Sequence, residues 1–228
     1  MTIGTVLVTG GASGLGAAVV AAVSDAGGRP VVLDRVAPGD RAADHEVVDL
    51  ADPRAAEEAV HAVAQRTGGL DSVVTCAGTD ACGRLEDVPA EDWERVIQVN
   101  LIGTAAVVRA ALPALLESHG RVVTVASTLG FRALSDATAY SASKFGVVGF
   151  TRALVAETQG RLGVTMLVPG GMDTAFFDDR DEQYKPGPDA KLNDPANVAQ
   201  AVLFALRQPP GCEVRELVVT PSIEPSWP

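Results

Sequence analysis

Short β-branched runs recur along the chain at Thr5–Thr9, Val31–Asp34, Glu46–Asp49, Ser72–Cys76, Arg121–Ser127, Val164–Val168 and Glu216–Thr220, with longer segments between them. Polarity within the runs is continuous rather than alternating, as in parallel strands covered on both faces, and the intervening segments are long enough for crossover helices. Helices are predicted over Leu15–Ala26, Pro53–Thr67, Ala90–Glu117, Thr138–Gln159 and Pro195–Arg207, several opened by Asp-Pro or Pro-Ala-Glu signals. Pro113 is expected to bend the third. Seven strands alternating with helices predict an α/β fold with a doubly wound parallel sheet. One stretch, 175–193, rich in charge, Gly and Pro, breaks this rhythm and reads as a lid over a substrate site.

Composition narrows the function. The 228 residues fit one domain, with no linker, repeat or low-complexity tract to divide it. No purely apolar run of about 18 residues stands out, so a membrane partner is not expected. The first residues carry no basic, cleavable leader pattern, and the three cysteines (Cys76, Cys82, Cys212) form neither a disulfide framework nor a zinc spacing; both point to the cytoplasm. His45, His61 and His119 share no spacing that would ligate a metal, and none is assigned. Lys and Arg number 18 against 29 Asp and Glu, a net charge of -11 that argues against nucleic acid. An anionic dinucleotide would therefore have to be held mainly by backbone N–H groups at a helix N-terminus.

The chain offers such a place. Thr9-Gly10-Gly11-Ala12-Ser13-Gly14-Leu15-Gly16 joins the first strand to the first helix, where a dinucleotide fold needs a tight turn and a side-chain-free approach to pyrophosphate. Gly10, Ser13, Gly14, Leu15 and Gly16 become candidate cofactor contacts, and the fold class becomes a single Rossmann-type domain spanning 1–228. Asp34 ends the second strand, where a carboxylate can accept from ribose hydroxyls and repel a 2′-phosphate. NAD is the expected cofactor over NADP, although the neighbouring Arg35 offers the opposite preference.

Tyr140-Ser141-Ala142-Ser143-Lys144 places a phenol and an ammonium four residues apart on one helix face. A tyrosine titrates ordinarily near pH ~10, and a nearby cation lowers that value, which makes Lys144 a candidate activator of Tyr140. Ser127, at the carboxyl end of the fifth strand, stands where open parallel sheets bind ligands and can hold a substrate oxygen.

With these motifs in place the chain resembles the single-domain branch of the short-chain dehydrogenase/reductase family from Thr5 to about Thr174. The resemblance implies that Tyr140 is the general acid/base, that Ser127 positions a carbonyl or alcohol, that Lys144 also bonds the nicotinamide ribose, and that Asn100 completes a proton relay. It implies that Asp49 and Leu50 contact adenine, although Asp49 also reads as a helix cap. Ala77 and Gly78 would let the cofactor approach. Pro169-Gly170-Gly171-Met172-Asp173-Thr174 resembles the segment that covers the nicotinamide, with Thr174 bonding its carboxamide. Cys76 departs from the family's usual Asn, and a thiol cannot reproduce the amide's hydrogen bonds.

The expected function is hydride transfer between NAD(H) and a secondary alcohol or ketone. The alternative is a dinucleotide-sensing or interaction protein that keeps the fold without turnover; a longer epimerase-like chain is disfavoured by the few residues after Gly170. A homodimer or homotetramer is the family expectation. Phe176 and Phe177 read either as pocket walls or as lid packing, Trp227 either as a contact with a neighbouring subunit or as a residue of no importance, and Asp178, Asp179, Asp181 and Glu182 as a solvated face.

Overall fold

The inner apolar runs become parallel strands because each supplies side chains to two separate cores. In the computed structural model, which describes residues 3–227, β1 (Thr5–Thr9), β2 (Arg29–Asp34), β3 (Asp44–Val47), β4 (Ser72–Thr75), β5 (Arg121–Val125), β6 (Gly163–Pro169) and β7 (Glu216–Val219) form one parallel sheet. Their order is β3-β2-β1-β4-β5-β6-β7. Val6 and Val8 of β1, Val32 of β2 and Val74 of β4 face α1 (Gly14–Asp25) and α6 (Pro195–Leu206). Their neighbours Leu7, Val31 and Val73 face α2 (Pro53–Thr67), α4 (Thr104–Glu117) and α5 (Thr138–Thr158) on the other side. Only the edges depart from continuous burial: β3 and β7 alternate half-buried and exposed positions.

Strand order reverses between β1 and β4, and at such a switch point the loops leave in opposite directions and open a crevice at the carboxyl ends. The register aligns those ends: Thr9 pairs with Thr75, and Thr75 with Thr124. The residues that follow, Gly10, Cys76 and Val125, therefore all line the cleft.

Four expectations change. The third strand is Asp44–Val47, two residues earlier than the apolar pattern implies, which leaves Asp49 in a turn. Cap duty for α2 falls to Asp52, whose Oδ1 accepts from Arg54 N at 2.9 Å and Ala55 N at 3.1 Å. The long third helix changes its bonding not at Pro113, which lies within α4, but at a π-helical turn, Gln98–Gly103, between α3 (Ala90–Ile97) and α4. Such turns insert a residue into the α-helical pattern and recur at functional sites. The same continuous stretch, Ala90–Glu117, is 28 residues long and by length and composition apolar enough to cross a membrane, contrary to the sequence expectation. Its apolar character is used here inside the fold, with 56% of its most apolar window buried.

Candidate active site

A cleft of about 1040 Å³ runs along the carboxyl edge of the sheet. It collects every residue predicted to bind or act except Asn100, which lies just behind its wall.

At one end the glycine turn is shaped by contacts that exclude side chains. Gly10 and Gly14 have φ of +68° and +50°, a region costly for residues with a Cβ. A Cβ on Gly16 would lie 2.0 Å from the Gly10 carbonyl oxygen, and one on Gly10 would lie 2.7 Å from the Ala77 backbone. Ser13 is the N-cap of α1 but makes no side-chain cap bond, so the first-turn N–H groups keep their donors for a ligand in the cleft. This cradle fits a dinucleotide pyrophosphate.

Asp34 stands beside it. Its Oδ2 accepts from Ala12 N at 2.9 Å and its Oδ1 from Val36 N at 3.3 Å, which fixes the carboxylate at the end of β2 while Arg35 also lines the cleft. Asp49 accepts from Ala51 N and pairs with Arg95 at 2.7 Å. Burial raises its pKa, but these hydrogen bonds and the guanidinium outweigh it and hold the carboxyl below its ordinary range. Leu50 is buried beneath it, and its carbonyl lies against Gly103, where a Cβ would come within 2.7 Å. Arg95 carried no sequence signal because its partner is 46 residues away.

At the other end Ser127, Tyr140 and Lys144 meet. Ser127 lies two residues past β5 rather than within it, and its Oγ accepts from Leu129 N at 3.1 Å, opening the 3₁₀ turn Thr128–Gly130. Lys144 is 5% exposed; its Nζ donates to Val125 O at 2.9 Å and stands 5.6 Å from the centre of the Tyr140 ring. Burial lowers the Lys144 ammonium to about 8. The expected activation of Tyr140 is not what the chain alone displays: burial pushes the phenol up to about 12, against a lowering hydrogen bond from Ser127. Desolvation is the largest effect on the phenol, and the ammonium, 5.6 Å from the ring centre and bonded to the Val125 carbonyl, does not offset it.

Asn100 occupies the π-helical turn, 1% exposed, and all its bonds face the loop after β4 and helix α5. Its Oδ1 accepts from Thr79 N at 2.8 Å, and its Nδ2 donates to Thr79 O at 2.9 Å and to Ser143 Oγ at 3.0 Å. Ser143 in turn donates to the Tyr140 carbonyl at 2.8 Å. Asn100 thus holds the loop carrying Ala77 and Gly78 against the helix carrying Tyr140. Cys76 makes none of the missing amide bonds; Ala77 N donates instead to Thr9 Oγ1 at 3.1 Å, which ties β1 to β4 there.

Pro169, Gly170, Met172 and Thr174 line the cleft opposite the glycine turn, and Thr174 lies within 3.5 Å of a Cβ placed on Gly14. Here the structure adds a residue that sequence reading missed. Glu224, after β7, accepts from Gly171 N at 2.9 Å through Oε2 and from Ser226 through Oε1. The tail then runs on to Trp227, which packs edge-on against Phe131 of its own chain, ring centres 5.5 Å apart. Phe176 and Phe177 do both things open to them, lining the cleft and packing on each other, with Phe176 5.8 Å from Tyr140. Asp178, Asp179, Asp181 and Glu182 are exposed. Among the described residues no three His, Cys, Asp or Glu side chains converge as a metal site.

Residues 4–185 match the family model described as short chain dehydrogenase. The chain belongs to the short-chain dehydrogenase/reductase family. It is 34% identical over 226 residues to an uncharacterised oxidoreductase of Staphylococcus aureus strain MW2, covering 94% of this chain and 96% of the relative. Among solved structures it is similar to an alcohol dehydrogenase of the archaeon Thermococcus sibiricus in complex with 5-hydroxy-NADP (25% identity, TM-score 0.83, 94% and 95% of the two chains covered). It also resembles the aldohexose dehydrogenase of Thermoplasma acidophilum in ligand-free form (25% identity, TM-score 0.85, 95% and 92% covered). The short-chain dehydrogenase/reductase fold, a seven-stranded parallel sheet flanked by helices, is the one described above, and the chain is an oxidoreductase of this family.

Proposed function

We propose that this oxidoreductase moves hydride between NAD(H) and the carbon of a secondary alcohol or ketone, with Tyr140 as the group that exchanges the oxygen's proton. The observation that carries this reading is the placing of Ser127 and Tyr140 in the same cleft as the glycine cradle. A bound nicotinamide supplies or accepts the hydride. The chain's own residues do the rest. Ser127 Oγ orients the substrate oxygen, and the Tyr140 hydroxyl gives or takes its proton. Lys144, anchored by the Val125 carbonyl, lies beneath the phenol to bond the nicotinamide ribose, and Asn100 keeps both flanking walls in place. Asp34, with its two fixed oxygens at the end of β2, favours ribose hydroxyls over a 2′-phosphate and supports NAD over NADP. Assembly as a homodimer or homotetramer belongs to the same reading and is measured by sedimentation.

The deciding assay follows absorbance in the reduced-nicotinamide band with NADH and with NADPH, at matched low concentrations, across small ketones, sugars, steroids and acyl thioesters. Faster turnover with NADPH would reverse the cofactor assignment. In the same assay Tyr140→Phe should lose roughly 100- to 10,000-fold in rate, the usual worth of a positioned acid, while binding NADH as the parent does. Undiminished turnover in that variant would remove Tyr140 from the mechanism.

A further inference from the structure

The Asp80–Arg180 pair lies outside every motif in the sequence, yet it touches both the 175–193 segment and the surroundings of Tyr140. Arg180 Nη2 donates to Asp80 Oδ2 at 2.6 Å, and the two side chains are 19% and 7% exposed. The guanidinium also lies 4.6 Å from the centre of the Phe177 ring and 5.2 Å from that of Phe176. Its Nη1 donates to Tyr184 O at 3.3 Å, and its Nε is buried with no protein partner. Asp80 is held from its own side, accepting from Ala81 N at 2.8 Å and from the Cys82 thiol at 3.3 Å. Phe176 then leans on Tyr140. A contact chain therefore runs from the loop after β4 through Asp80, Arg180 and Phe176 to the proposed acid/base.

We propose that the Asp80–Arg180 ion pair is a positioning device that clamps the 175–193 segment over the substrate end of the cleft and balances the charge around the Tyr140 hydroxyl. The inference rests on the reading of Tyr140 as the proton-exchanging group. Removing one partner of a shielded ion pair is costly, because the remaining charge stays enclosed without compensation. Here that charge would be left near the phenol. The charged and titratable groups facing Tyr140 are Lys144 from its own helix, Asp80 and Cys82 from the loop after β4, and Arg180 from the clamped segment, with the Ser127 hydroxyl from the end of β5. Asp136 faces Cys82 and Tyr184 from the loop before α5. Asp80 disfavours the phenolate and Arg180 favours it, so within the intact pair the two oppose each other and each half alone would act unopposed.

Opposite signs make the inference testable without turnover. Tyr140 and Tyr184 are the two tyrosines of the chain, so in a Tyr184→Phe background tyrosinate absorbance reports Tyr140 alone. Asp80→Asn should move the Tyr140 titration down by about one pH unit, and Arg180→Gln should move it up. The double variant should return close to the parent. Arg180→Lys keeps the charge but loses the planar fork and should leave the titration in place. In all four variants amide exchange across 178–191 should rise roughly tenfold. Shifts of one sign in both single neutralising variants, or no shift, overturn the charge balance; unchanged exchange overturns the clamp. If the wild-type chain reduces no carbonyl and oxidises no alcohol, the catalytic reading fails, while these two measurements still decide the clamp.

Discussion

Individual residues divide by how local their constraints are. Gly16 is dictated by the turn it sits in, because a methyl group there would lie 2.0 Å from the Gly10 carbonyl oxygen and force the cradle open. Gly16→Ala should weaken NADH binding at least tenfold and cost about 1–3 kcal/mol of stability from overpacking; an unchanged dissociation constant from cofactor fluorescence would contradict the cradle. That glycine, like Tyr140, Lys144 and Ser127, was legible because its chemistry depends on neighbours within a few positions. Asp80, Arg180, Arg95 and Glu224 were not. Asp80 and Arg180 lie 100 positions apart, Glu224 and Gly171 53 apart, and no spacing rule along one chain reports a contact closed by tertiary folding. Asn100 was legible as a polar residue in an apolar stretch, whereas its bonds to Thr79 and Ser143 were not.

At the level of elements, burial on two faces fixes which runs are strands. Leu7 is fully buried between the sheet and the helices α2 and α4, so Leu7→Ala should cost about 2–5 kcal/mol in a denaturation experiment, with the slope against denaturant unchanged. A loss below 1 kcal/mol would mean that this face is packed loosely. The inner strands fall where the apolar pattern puts them, within a residue or two. The third strand is instead shifted as a whole, two residues at both ends, since at the sheet edge one face is solvated and β3 pairs through Asp44–Val47 with β2 instead of following hydrophobicity. The π-helical turn at Gln98–Gly103 was equally hidden: its side chains suit an α-helix, and nothing in their pattern reports that Asn100 bonds the loop after β4 from within it. Pro113, the visible irregularity, lies inside α4.

For the molecule as a whole, the site's burial couples to stability. Lys144 ordinarily titrates at 10.5 and in the folded chain at about 8, so between those values the unfolded chain holds a proton that the folded chain has released, and stability rises with pH. Cys76 and Cys82 act oppositely. Burial raises both thiols from 9.0 to about 12, as it raises Tyr140 from 10.0 to about 12, so above pH 9 the unfolded chain loses protons first and stability falls. From pH 8 to 9 the two effects largely offset, so the parent should hold nearly level before declining, whereas Lys144→Met, which keeps only the thiol and phenol losses, should fall by about 0.7 kcal/mol over that unit in a denaturation experiment. A parent that falls across pH 8–9 as steeply as Lys144→Met would place Lys144 in water rather than beneath Tyr140. By itself the sequence determined the α/β alternation, the glycine turn at the first helix and the Tyr140–Lys144 face, because these follow from periodicity and from contacts within a helical turn. Only the tertiary structure decided that the 175–193 segment meets the loop after β4 through Arg180, that the tail returns to Gly171 through Glu224, and that Tyr140 is raised rather than lowered. Those outcomes depend on which distant charges the parallel sheet gathers at its carboxyl edge and on how much water their packing removes.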